Sequence, residues 1–351
     1  MSTILPAEWA PQSAVMLTWP HPATAWRPHL PEVERVMCEI AKHIALREQC
    51  LIVARDAGHR THIEKTLRNS DVEISNIQFF IAPSNDSWAR DHGPICVFEN
   101  DKPVVLDFIF NGWGNKFAAE LDNRITATIA AQHAFGAHQI RDLNFVLEGG
   151  SIESDGLGTL LTTRRCLSSP QRNPGYSVAD IESYLKQTLG VTRILWLDHG
   201  YLAGDDTDSH IDTLARLCDE HTIAYVSCDD PDDEHYAELK AMEKELQALR
   251  DAQGNPYTLA ALPWPGAQYN DAGERLPATY ANFLIINGTV LMPTYADTHD
   301  DAARATLQRC FPKHVIIGID CRPIIRQYGS LHCLTMQIPA GVVTFAQAQR
   351  P

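Results

Sequence analysis

Four short stretches of this chain gather residue types that can do chemistry. Asn85-Asp86-Ser87-Trp88-Ala89-Arg90-Asp91-His92-Gly93-Pro94 sets charges and an indole against a Gly-Pro turn. Glu148-Gly149-Gly150-Ser151 follows the apolar run Phe145-Val146-Leu147. Asp205-Asp206-Thr207-Asp208-Ser209-His210-Ile211-Asp212 surrounds one histidine with carboxylates. Gly329-Ser330-Leu331-His332-Cys333-Leu334-Thr335 carries a thiol. A thiol, an imidazole and several carboxylates are together the parts of covalent catalysis on a cationic substrate. Singly, each stretch has a plainer reading. An Asp beside an Arg is usually a surface ion pair, Glu-Gly-Gly is often only a turn, and a lone cysteine is more often inert packing than a nucleophile. The alternation of Asp206, Asp208, His210 and Asp212 offers a second chemistry. On a strand these side chains would share one face and form a divalent-metal set, which points to a metal-dependent amidohydrolase or ureohydrolase. Against that stands the lack of a paired-histidine motif such as H-E-x-x-H.

The elements around these stretches repeat. Strands at Ala14–Trp19, Pro103–Phe108, Gly158–Thr163, His221–Ser227 and Thr289–Thr294 are each followed by a helix and another strand. The helices are expected at Pro31–Glu48, Glu120–Ala134, Val178–Leu189, Asp232–Asp251 and Asp300–Cys310. Their closing strands are expected at Cys50–Ala54, near Gln139, and at Arg193–Leu197, Tyr257–Leu262 and His314–Ile319. An extra helix near His59–Arg68 leads into Ile77–Ala82. β-Branched and aromatic runs mark the strands, and three-to-four spacing of apolar residues marks the helices. Five units of about 50–70 residues suit a repeat or propeller architecture. An open α/β sheet alternates in the same way, and the pattern alone does not separate the two. Asp91, Glu148 and His210 fall at a similar interval, so each unit could deliver one functional loop to a common centre.

Bulk properties narrow the classes. The chain has 351 residues, 44% hydrophobic and 21% charged, close to globular averages. A formal net charge of −15 argues against nonspecific nucleic-acid binding and permits a cationic small substrate, although acidity also simply aids solubility. No apolar run approaches the ~20 residues of a membrane span. Met1 to Pro11 lacks a basic start followed by an apolar stretch, so no signal peptide is expected. Nine scattered cysteines without a C-x-x-C pair fit reduced thiols in a cytoplasmic enzyme. Neither G-x-G-x-x-G nor a P-loop lysine motif occurs. Oligomeric state, including a homo-oligomer, is open.

Taken together and in order, these segments resemble the agmatine deiminase branch of the guanidine-modifying (pentein) superfamily, with its bacterial peptidyl-arginine deiminase-like relatives. The matching runs are NDSWARDHGP (Asn85–Pro94), FNGWGN (Phe110–Asn115), EGGSIESDGLGT (Glu148–Thr159), TTRRCLSSPQRNP (Thr162–Pro174), DTDSHID (Asp206–Asp212), Tyr280–Asp297 and LHCLT (Leu331–Thr335). The early Leu17-Thr18-Trp19-Pro20 and Trp26-Arg27 also fit. Resemblance covers essentially the whole chain. It departs at Ser209, where the family often has glycine, and at Gln327-Tyr328-Gly329-Ser330, where the family commonly has a glycine run.

The resemblance implies a single domain over residues 1–351: a five-bladed α/β propeller of ββαβ units around a central funnel. It implies Cys333 as nucleophile, His210 as general acid/base, Glu148 as the carboxylate orienting the histidine, and Asp91 and Asp212 as the guanidinium clamp. Agmatine, a dication without a carboxylate, is the expected substrate; arginine and peptidyl-arginine are the alternatives. An amidinotransferase and a non-catalytic binding protein are the other neighbours in the fold. Trp88, Trp113 and Trp19 are candidates to wall the funnel against the substrate's stem and far ammonium, unless they serve only as packing. No metal or organic cofactor is implied. The chemistry suits these residues. A guanidinium is planar, resonance-stabilised and presents five N–H donors in a fixed fork, which carboxylates match. Its central carbon resists water, and a thiolate divides the reaction into two easier steps.

Overall fold

The computed structural model describes residues 3–343. Strand, helix and strand recur as expected, and several bounds agree with the sequence pattern. Helices run over Val178–Leu189 and Asp300–Cys310, and strands over Arg193–Leu197 and Thr289–Thr294. Ser177 starts the first of these helices with a capping box to Asp180, which satisfies amide groups that the first turn leaves without partners.

Each unit also begins with a strand that the pattern did not reveal. Ile95–Glu99 pairs antiparallel with Lys102–Ile109, which pairs in parallel with Gln139–Val146. Ile152–Ser154, Thr159–Thr163 and Arg193–Leu197 repeat that arrangement. So do Ala215–Asp219, Thr222–Val226 and Thr258–Leu262, and Leu284–Ile286, Thr289–Thr294 and Val315–Asp320. The fifth unit joins both ends of the chain: Thr335–Pro339 pairs antiparallel with Gln12–Thr18, which pairs in parallel with Gln49–Ala54 and, beyond it, Ile77–Ile81. Two of the hidden strands have only three residues, too few for a period to register. The fold is mixed α/β with five such ββαβ units.

The expected helix at Glu120–Ala134 shrinks to a turn at Asp122–Arg124 and a short helix at Ile125–Ala130. Its start is diverted to hold the loop before Asp91. The Asp122 carboxylate accepts from the amides of Asn85 and Asp86, and the Asn85 side chain accepts from the Leu121 amide. Elsewhere, apolar stripes do the positioning. The helix Leu30–Ala45 buries Val33, Met37, Ile40, Ala41 and Ile44 against the strands of the fifth unit, the three-to-four spacing that a single covered face demands. Among the described residues no helix is long and apolar enough to cross a membrane.

Candidate active site

The candidate nucleophile, histidine and carboxylates singled out in sequence stand just before the first strand of a unit. Asp91 lies in the helical turn Ala89–His92 ahead of Ile95, and Glu148 precedes the turn Gly149–Ser151 ahead of Ile152. His210 and Asp212 flank the start of the turn Ile211–Thr213 ahead of Ala215, and Cys333 lies two residues ahead of Thr335. The fourth unit supplies Asn282, ahead of Leu284. Sequence reasoning missed Asn282. The five-fold repetition was the signal that could have found it, because one unit had no functional residue assigned.

These side chains converge. The Cys333 sulfur lies 3.3 Å from Asn282 Nδ2 and 3.7 Å from Asp212 Oδ2. His210 stands between two carboxylates, its Nδ1 3.6 Å from Asp91 Oδ1 and its Nε2 3.8 Å from Glu148 Oε2. Asp91 is fixed from two sides: Trp113 Nε1 donates to Oδ2 at 2.9 Å and the Gly150 amide to Oδ1 at 3.1 Å. Arg172 Nε donates to both oxygens of Glu148 at 3.0 and 2.9 Å, and its Nη1 donates to Asp208 at 2.7 Å. Arg172 lies in a matched run but had no role assigned. It is the counter-charge that lets Glu148 be ionised while fully buried.

Glycine is required at the centre. A Cβ on Gly150 would lie 2.6 Å from His210 Nδ1, 2.8 Å from Asp91 Oδ1 and 3.1 Å from Asp212 Oδ2. At Gly329 it would lie 2.3 Å from the Trp88 ring. The two departures from the family pattern fall on strained backbone. Ser209 and Tyr328 have φ of 65° and 64°, a region that costs a non-glycine residue about 1–2 kcal/mol. Asp205 holds the first by accepting from the Ser209 amide at 2.7 Å. The Tyr328 hydroxyl reaches Glu274 at 3.2 Å. Asp208 is also left-handed, at φ 68°, so residues 206–212 do not form a strand. The proposed metal face of Asp206, Asp208, His210 and Asp212 is therefore broken: Asp208 pairs with Lys116 and Arg172, and Asp212 bonds His332. Glu148, Cys166 and His210 do bring ligand atoms within 4.8 Å of one another, but the Arg172 guanidinium already occupies both Glu148 oxygens and opposes a cation there.

A cavity opens onto this cluster. Asp91, Cys333, Trp88 and Trp113 line it, as do Asp205, Asp206, Phe117 and Tyr328. Trp19 does not. It is fully buried in the core, with its indole N–H on Glu34 at 3.0 Å, because it directly follows a central strand and packs under the first helix. Trp113 does more than line a wall, since it donates to Asp91 from a backbone held at φ 56° between two left-handed glycines.

The electrostatics follow from burial and charge. Burial, joined by Asp212 and Asp91, pushes the Cys333 thiol well above its ordinary value. Burial disfavours the His210 imidazolium, but Asp91, Cys166 and Glu148 outweigh it and raise its pKa well above the usual value. Burial raises Asp91 to about 6 despite His210, with Asp212 and Glu148 adding to the rise. Burial opposes ionisation of Asp212, yet His332, His210 and Arg216 bring its pKa below the ordinary value. The arrangement is a protonated imidazole and a neutral thiol set among carboxylates, able to receive a planar cation.

The model of the Porphyromonas-type peptidyl-arginine deiminase family matches residues 4–339. An agmatine deiminase of Pseudomonas aeruginosa is 33% identical, over 96% of this chain and 95% of its own. A Porphyromonas gingivalis structure provisionally named an arginine deiminase is 50% identical with a TM-score of 0.90, covering 97% of this chain and 100% of its own. A cysteine-to-serine variant of C. jejuni agmatine deiminase, solved with substrate bound, is 37% identical with a TM-score of 0.90, covering 97% of both chains. By the extent of the family match and the full-length relatives, this chain belongs to the Porphyromonas-type peptidyl-arginine deiminase family.

Proposed function

We propose that this chain hydrolyses the guanidinium of agmatine to N-carbamoylputrescine and ammonia through a covalent amidino-cysteine at Cys333. The observation that carries the reading is the Cys333 sulfur standing in a cavity beside Asp91 and Asp212, with buried His210 behind them. Asp212 Oδ1 and both ring nitrogens of His210 are buried without a hydrogen-bond partner among the described residues. Such groups are costly to leave unmade; an N–H of a seated guanidinium would satisfy Asp212 Oδ1, while the N–H groups of the His210 imidazolium remain to face carboxylates and the leaving nitrogen.

The steps follow from the charges. The guanidinium docks between Asp91 and Asp212, and its positive charge favours the Cys333 thiolate that burial and carboxylates otherwise suppress. The sulfur attacks the central carbon. His210, already protonated, gives its proton to the leaving nitrogen and ammonia departs. Without that proton the leaving group would be a very basic amide ion, so the acid is indispensable. Water then attacks the amidino-thioether while His210 takes up a proton, and collapse of the adduct releases the urea-type product and the thiolate. Glu148 keeps the imidazole aligned, itself anchored by Arg172. Trp88 and Trp113 wall the substrate's stem.

The far end selects agmatine. Asp205 and Asp206 line the cavity, and no lysine or arginine is among the described residues lining it. An ammonium is matched there, whereas the carboxylate of free arginine would have no cation to meet. We infer further that residues 1–351 form one domain, with the five units arranged as blades around the funnel so that their leading segments meet. We place this enzyme in the cytoplasm, in the branch of metabolism that supplies putrescine. The test is ammonia release from agmatine, arginine and a peptidyl-arginine, with Cys333→Ala alongside. Agmatine should be strongly preferred and Cys333→Ala inactive. Comparable efficiency on arginine rejects the substrate, and turnover by Cys333→Ala rejects the mechanism.

A further inference from the structure

Formation of the thiolate leaves a proton to be removed, and the groups around Cys333 limit where it can go. His210 is surrounded by carboxylates that keep it protonated, so it cannot accept. Asn282 has no basic site to offer. The remaining neighbour of the sulfur is Asp212 Oδ2, at 3.7 Å.

Asp212 is the first link of a buried chain. Its Oδ2 meets His332 Nδ1 at 2.8 Å. On the other side of that ring, Nε2 lies 2.9 and 3.0 Å from the two oxygens of Glu8 and 3.1 Å from Arg216 Nη2. The partners make both neutral tautomers of His332 acceptable. With the proton on Nδ1, the ring donates to Asp212 and accepts from Arg216. With the proton on Nε2, it donates to Glu8 and is free to accept from a protonated Asp212. Burial, Arg216 and Arg90 disfavour the imidazolium, keeping the ring neutral even though Glu8 and Asp212 face it.

The chain ends at water. Asp212 and His332 are fully buried, but Glu8 retains 15% exposure. It lines a second cavity, together with Arg90, Gly149 and Gln337, that shares no lining residue with the substrate cavity. Glu8 also takes contacts from Arg90, Arg216 and Gln337, and Glu153 stands against Arg216. The Arg216 and Arg90 guanidiniums hold Glu8 ionised against its burial, so it carries a proton only transiently before releasing it.

We propose that Asp212, His332 and Glu8 form a proton path, by which the Cys333 thiol proton leaves through the second cavity while the substrate fills the first. The proposal rests on the thiol reading above. The S–H bond breaks as Asp212 Oδ2 takes the proton. Asp212 passes it to His332 Nδ1, the Nε2 proton moves to Glu8, and Glu8 releases it to water. When the product has left and the thiolate is reprotonated, the same transfers run in reverse: Glu8 brings a proton from water to Nε2, Nδ1 returns its proton to Asp212, and Asp212 returns it to the sulfur. His332 and Glu8 touch neither substrate nor sulfur and act as positioning residues through Asp212.

The test is stopped-flow detection of the thiolate, by its ultraviolet absorbance, when an unreactive amidine cation is mixed with wild type, Glu8→Gln, Glu8→Asp and His332→Gln. The proposal expects Glu8→Gln and His332→Gln to slow thiolate appearance at least about tenfold, a conservative bound beside the roughly 100- to 10,000-fold that a proton-transfer group contributes. Cation affinity should change far less, and Glu8→Asp should recover most of the rate. A purely structural role for these residues would weaken cation binding and leave the thiolate rate at saturation intact, and that result overturns the path. Circular dichroism identifies any variant that misfolds, and Glu8→Gln decides the matter if His332→Gln does. Absence of a thiolate signal in wild type would remove the thiol reading itself. A normal wild-type signal with an unslowed Glu8→Gln would remove the path alone.

Discussion

Gly150→Ala isolates the geometry of the site from its chemistry, because it changes no charge and deletes no functional group. The added methyl would sit 2.6 Å from His210 Nδ1 and 2.8 Å from Asp91 Oδ1. Ordinary van der Waals contact begins at 3.4 Å, so imidazole and carboxylate must each retreat by about 0.6–0.8 Å or the turn Gly149–Ser151 must move. A misplacement of about 1 Å costs roughly 100-fold in rate. Inserting a methyl into a packed interior costs about 1–3 kcal/mol of stability. We therefore expect kcat for agmatine to fall about 100-fold, with a lowered midpoint of thermal unfolding but a folded protein. Steady-state ammonia release and thermal melts measure both. Gly58→Ala is the control: it lies in the first turn of the helix Ala57–Asn69, where the new methyl would meet only Asp56 Oδ1, at 3.3 Å, and activity should be unchanged. A folded Gly150→Ala with wild-type kcat would show that His210, Asp91 and Asp212 do not need the approach that the glycine permits, and the assembled site would have to be redrawn.

Asp91→Asn and Asp212→Asn keep shape but turn an amide donor toward a cation that has only donors. With a hydrogen bond to a charged group worth about 1.5–3 kcal/mol, each should lose at least about tenfold in kcat/KM; small effects at both would misplace the clamp. Asp205 is no neutral control for this pair, because it holds the amides of Thr207 and Ser209; Asp205→Asn should loosen the loop that carries His210. Since burial raises Asp91 to about 6 and it must be ionised to bind the cation, kcat/KM should fall as pH drops through 6. The bound guanidinium lowers that pKa, so the acid limb of kcat should lie at lower pH. Coincident limbs in the two profiles would show that another group controls binding. Activity should survive chelators and be lost on thiol alkylation; inactivation by a chelator, reversed by a divalent metal, would instead favour ligation at Glu148, Cys166 and His210.

Much of the fold and site is legible in the chain because local physics repeats. Helices such as Val178–Leu189 carry their own caps and apolar stripe, and long strands such as Thr289–Thr294 carry enough β-branched and apolar residues to register. The clusters around Asp91, Glu148, His210 and Cys333 stand out because reactive side chains crowd into loops. Three-residue strands such as Ile152–Ser154 are different: their pairing comes from a partner strand, with no period of their own to display. What only the tertiary structure decided is which atoms meet. The sequence shows alternating carboxylates at residues 206–212, and the left-handed backbone at Asp208 and Ser209 sends them to separate partners. It offers Trp113 and, behind it, Trp19 as candidates to wall the funnel, yet Trp19 is sealed in the core and Trp113 holds Asp91. Asn282, Arg172 and Glu8 are separated along the chain from Cys333, Glu148 and His332, and nothing local says that these side chains meet. Contacts of that kind arise from where the five units place their leading segments, so composition and spacing name the chemistry while long-range packing assigns the partners.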